Sequence, residues 1–222
     1  MGILEAIVVV YIRKIFYSTG FKFPLKIIPD PTLKIEILRE FCTIIMLVSI
    51  ALIAGKNKLR SFAYFLFCFA IWDITYYAGV KMILGWPSSF FTWDILFLIP
   101  FPWIAPILAP LISSLSMIFL SLTILFMLNH NENFRLKVVE WLSIYLGAII
   151  VFISFMWSYA NILISNNFFE SSKQNLSDIT LNYTPTHYNW DLFTLGILLI
   201  GCSMFLMLKR YSRFGKNIIK QN

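Results

Sequence analysis

The chain has 222 residues; 59% are hydrophobic, 18% aromatic and only 13% charged, and the formal net charge is +7. A soluble domain carries about 25% charged residues, so a mean hydropathy of +0.77 excludes an ordinary water-soluble globule. The basic excess does not argue for nucleic acid, because the Lys and Arg stand in short clusters beside apolar runs, as they do where membrane topology is being set.

Residues 3–17 are too short, and too basic at Arg13 and Lys14, for a span. They predict an interfacial helix with those two cations among lipid headgroups. Gly20, Pro24, Pro29 and Pro31 make the rest of 1–32 a connector. Spans are predicted over 33–55, 61–84, 103–128, 138–164 and 190–208. Each is close to the roughly 20 residues that about 30 Å of hydrocarbon demands. Residues 90–100 are apolar but short, and Pro100 ends them, so they predict a re-entrant half-helix covered by protein or water. A basic tail, 209–222, closes a single transmembrane domain. The expected fold is therefore an all-α integral membrane helical bundle of five transmembrane helices.

Orientation follows from Lys and Arg. The tail holds Lys209, Arg210, Arg213, Lys216 and Lys220, which puts the C-terminus in the cytoplasm and the protein in the inner (cytoplasmic) membrane. The loops at 55–60 and 129–137 agree. The polar segment 165–189 belongs outside. Five spans then leave Arg13, Lys14, Lys22 and Lys26 outside too, against the positive-inside rule.

The stretch from Trp72 to Pro110 holds the candidate site. Asp73 stands within an apolar run, and a carboxylate at bilayer depth is costly enough to mark function. Asp73, Tyr77 and Lys81, four residues apart, form one helical stripe about 12 Å long. It reads as a cavity lining with Asp73 as proton acceptor, cation ligand or headgroup anchor, or else as a carboxylate fixing helix packing. Arg39 and Glu40 open the first span on the membrane face that carries Lys81, Trp86 and Asp94. A ring of Arg39, Glu40, Lys81 and Asp94 at a cavity mouth is expected. Arg39 or an aromatic hydroxyl is the expected donor to Asp73. Gly85, Trp86 and Pro87 make a turn, and Pro100, Pro102, Pro106 and Pro110 suggest broken helix ends of the kind transporters use.

Catalytic patterns are missing. The two histidines, His130 and His187, fall in predicted loops, which excludes bis-histidine haem ligation within the bundle. No zinc, nucleophile-elbow or phosphate-loop motif occurs, and Cys42, Cys68 and Cys202 form no CxxC pair. No metal and no cofactor is expected. The strings WDITYY at 72–77, Lys81, GWP at 85–87 and WDILFLIPFPW at 93–103 resemble an uncharacterised family of small polytopic bacterial membrane proteins. That resemblance implies fold and location and no activity. Three function classes remain: a non-catalytic accessory or scaffold subunit of a membrane complex, a carrier or channel using Asp73, and a lipid-modifying enzyme. The scaffold is favoured, with the lipid bilayer and a membrane-protein partner or second copy as its company.

Overall fold

The computed structural model describes residues 1–17, 20–24, 29–99, 102–165 and 184–219. Helices α1 (Gly2–Phe16), α2 (Asp30–Ala54), α3 (Lys58–Leu84), α4 (Leu108–His130), α5 (Val138–Ser165) and α6 (Trp190–Ile219) account for most of it. Five of them, α2 to α6, are long and apolar enough to cross a membrane. The all-α membrane bundle read from composition is the observed architecture.

Local chemistry sets the helix ends. The Asn57 side-chain oxygen accepts from the Arg60 N–H at 2.9 Å and caps the start of α3. At its other end Gly85 has a φ of +66°, and its N–H closes on the Lys81 carbonyl at 3.0 Å. That left-handed geometry suits a residue without a Cβ. At the start of α5 the Glu140 carboxylate accepts from the Lys137 N–H at 2.7 Å, one half of a capping box.

Two predicted boundaries change. Residues 90–100 are not a re-entrant half-helix. Strand β1 (Trp93–Ile95) pairs antiparallel with β2 (Ile104–Pro106), in the register Trp93↔Pro106, Asp94↔Ala105 and Ile95↔Ile104. The third span accordingly starts at Leu108, not at Trp103. Pro102 and Pro106 supply no N–H, and a residue before proline is steered to extended backbone. A hairpin meets those restraints where a helix does not. Pro110 sits in the first turn of α4, where no helical donor is lost; Pro100 lies outside the described residues.

The chain divides into two compact units. The first comprises Met1–Ile45, Trp72–Leu111 and Ile153–Asn189. Here α1 forms as predicted, but one face of it is packed on protein. Gly2, Ala6, Val10 and Arg13 are its buried positions, a single stripe at helical spacing. A Cβ on Gly2 would meet Thr75 and the Trp72 carbonyl, and one on Gly79 would meet Ala6. The Arg13 guanidinium lies over Trp86. The pairs 2–75, 6–79 and 13–86 keep one offset, so α1 runs alongside α3 in the same direction for about 16 Å. Around the hairpin, rings follow one another from Trp72 to Phe97, Trp103, Phe155, Tyr188 and Trp93, with centroids 5.4–6.4 Å apart.

The second unit comprises Met46–Ile71, Ile112–Phe152 and Trp190–Asn222. Its core gathers Ala63, Leu120, Ile124, Leu128, Ile144, Ile200 and Met207. The Ser121 hydroxyl donates to the Ala63 carbonyl at 2.7 Å. At the crossing of α5 and α6, Gly147 and Gly196 face each other, and a Cβ on either would meet the other's carbonyl oxygen at 2.7–2.8 Å. Buried Glu140 pairs with Arg210 at 3.0 Å.

Candidate functional site

The charged residues of the first unit form two ties. The first joins α1 to the hairpin. Arg13 Nη2 donates to Asp94 Oδ1 at 2.9 Å across 81 residues of sequence. Arg13 is 6% exposed and Asp94 is 1% exposed. The guanidinium also lies over the rings of Trp86 at 3.7 Å and Phe21 at 4.5 Å, a cation–π arrangement that partly replaces its lost hydration. The Tyr77 phenol lies close enough to the same carboxylate to favour its charged form. Burial pushes the Asp94 carboxyl from 3.8 to about 6, with Arg13 pulling the other way. Arg13 Nη1 and Asp94 Oδ2 have no hydrogen-bond partner among the described residues.

The second tie joins α1, α2 and the hairpin tip. Arg39 pairs with Glu5 of α1 and with Glu36 one turn back at 2.8 Å. The Thr43 hydroxyl donates to Glu5 at 3.5 Å. Glu40, 6% exposed, accepts the Leu98 N–H at 2.9 and 3.2 Å through its two oxygens. That bond satisfies a backbone donor at the hairpin tip, where the two-stranded ladder has none to offer.

The ring expected from Arg39, Glu40, Lys81 and Asp94 does not form, since each of the four takes a different partner. Lys81 Nζ donates to the carbonyls of Gly85 and Pro87 at 3.0 and 2.6 Å, folding back on the turn that ends its own helix. The expected stripe splits as well. Tyr77 is buried, Asp73 half-buried and Lys81 exposed, and Lys81 is the member that turns away to backbone carbonyls of its own turn. Asp73 and Asp94 both lie within electrostatic reach of Tyr76 and Tyr77. Arg39, the donor expected for Asp73, is engaged by Glu5 and Glu36. Trp86 joins the site as the face on which Arg13 rests.

Two members of the site differ from expectation: Arg13, expected among headgroups, is buried and bonded to Asp94, and Glu5, which nothing in the sequence marks, pairs with Arg39. A signal for Arg13 was present, because it falls on the same helical stripe as Gly2, Ala6 and Val10 and therefore shares their buried face. Glu5 carries no such mark. No group of three or more His, Cys, Asp or Glu able to hold a metal occurs among the described residues. No protein-family profile, curated protein or solved structure matches this chain.

Proposed function

We propose that this protein is a non-catalytic accessory or scaffold component of a membrane complex. One observation carries the reading: its costly buried charges are committed to partners within the chain. Arg13–Asp94, Arg39–Glu5–Glu36 and Glu40–Leu98 clamp α1 and the hairpin to the membrane helices. A carboxylate held in a static tie serves shape, whereas a carried proton or ion needs a group that exchanges partners. The partner is another membrane protein or a second copy, met within the bilayer. The experiment is affinity purification of the tagged chain in a mild detergent, followed by mass spectrometry. A stoichiometric partner, or a discrete homo-oligomer, is expected; a clean monomer that retains no partner refutes the scaffold.

A second reading, a carrier for a proton or small ion, draws on Asp73. It is half-buried part-way along α3, with two tyrosines in electrostatic reach. Proton flux in reconstituted vesicles, lost in Asp73→Asn while the fold is kept, would favour it over the scaffold.

The location follows from the same proposal: a bacterial inner membrane, crossed five times, with a cytoplasmic C-terminus. Because α1 runs with α3, its basic end shares a membrane face with Leu84, and this orientation makes that face the outer one. Arg13 and Lys14 then stand outside, against the positive-inside rule, which counts Lys and Arg whether or not a carboxylate pairs them. Single-cysteine probes at positions 172 and 216 should label from opposite sides; labelling from one side sinks the orientation.

A further inference from the structure

A cavity of about 570 Å³ lies where the ends of α1 and α3 meet, within the roughly 300–1,000 Å³ of small-ligand sites. Arg13, Lys14, Tyr17, Phe21, Trp86 and Ser88 are among its walls. Arg13 lines it and Asp94 does not. The guanidinium thus commits Nη2 to Asp94 and keeps Nη1 without a hydrogen-bond partner among the described residues. Trp86 and Phe21 hold its plane, so little freedom remains to be lost when an anion in the cavity meets the guanidinium.

The charged side chains that line the cavity, Arg13 and Lys14, are both cations. Lys14 is exposed at the rim. Lys81 is bonded to the carbonyls of Gly85 and Pro87 in the turn that walls the cavity. Among the described residues neither lysine has a carboxylate partner. Next to these lysines in the chain, Ile15 is 71% exposed and Met82 83%, side chains that meet lipid tails in a membrane.

We propose that this cavity binds the phosphate of an anionic phospholipid headgroup. Arg13 and Lys14 are its phosphate ligands, and the acyl chains lie along the Ile15 and Met82 flank. Guanidinium and ammonium donors make short, charge-assisted bonds to phosphate oxygens. Free phosphate offers the same oxygens, but it leaves the apolar flank unused.

The test uses the full chain in mild detergent, stripped of lipid, with thermal unfolding followed by tryptophan fluorescence. Phosphatidylglycerol, phosphatidylcholine and inorganic phosphate are each titrated. Phosphatidylglycerol should raise the midpoint saturably, while phosphatidylcholine and inorganic phosphate should not. Lys14→Glu reverses a rim charge and Ser88→Trp fills the space. Both positions are exposed and leave the Arg13–Asp94 tie intact, and each should weaken the phosphatidylglycerol effect about tenfold. Equal protection by phosphatidylcholine, or a phosphatidylglycerol effect unchanged in both variants, overturns the site. A full shift from inorganic phosphate overturns the lipid as its ligand.

Discussion

Asp94→Leu is the sharpest perturbation the structure offers. Leucine keeps the volume of the site and removes the acceptor of a guanidinium that is itself 6% exposed. Breaking a buried pair by deleting one partner costs about 3–5 kcal/mol. For a chain of this size about 1 kcal/mol corresponds to roughly 2–4 °C, so the midpoint should fall by roughly 6–20 °C. Asp94→Asn keeps an oxygen to accept Arg13 Nη2 at the 2.9 Å position and should stay within about 1 kcal/mol of the parent. Arg13→Met combined with Asp94→Leu removes both charges. It sacrifices the stacking on Trp86, worth up to about 2 kcal/mol, and regains part of it as a sulfur–aromatic contact. The double variant should therefore be more stable than Asp94→Leu alone. Thermal unfolding of the four proteins in one detergent, read by tryptophan fluorescence, measures this. If Asp94→Leu lies within 2 °C of the parent on that ~2–4 °C scale, or the added Arg13→Met brings no recovery, the tie does not hold α1 to the hairpin.

Acid titration gives an independent check of the same carboxyl. Its folded value of about 6 lies above the ordinary 3.8, so the folded form takes up the proton first. The resulting stability is complete below about 3.8 and is lost as pH rises through about 6. Between pH 7 and pH 5 the parent should gain about 1 kcal/mol that Asp94→Asn does not; parallel stability curves for the two proteins contradict this. At the α5–α6 crossing, Gly196→Ala drives a Cβ to 2.8 Å from a backbone oxygen, whereas Gly201→Ala meets nothing within 4 Å. The first should cost about 1–3 kcal/mol and the second should be neutral or slightly stabilising, so equal midpoints for the two contradict the crossing. Asp73 is half-buried while Asp94 is 1% exposed, so Asp73→Leu should cost less than Asp94→Leu. If both Asp73→Asn and Asp73→Leu keep the midpoint and lose a partner or a flux, Asp73 is functional; a larger loss at 73 than at 94 contradicts the ranking.

The sequence by itself determined the number of membrane helices and where four of them begin. Crossing hydrocarbon is a requirement on local length and hydropathy, which each segment meets alone, so α2, α3, α5 and α6 begin within three residues of expectation. It also marked Asp94, Glu40, Arg39 and Trp86 as unusual, because a charge or a Trp–Pro turn among apolar neighbours is visible without coordinates. The re-entrant segment expected over 90–100 fails for a physical reason. A short apolar run between prolines satisfies a half-helix and a hairpin equally well, and only the pairing of Trp93–Ile95 with Ile104–Pro106 separates them. The partners of the charges were decided by tertiary structure alone. Arg13 reaches Asp94 across 81 residues because Gly2, Ala6 and Gly79 let α1 lie close along α3, and that direction carries the guanidinium to Trp86. An ion pair depends on where two side chains arrive in space. Composition reveals what a buried charge costs, and only the packing of α1, α2 and the hairpin reveals which group offsets it.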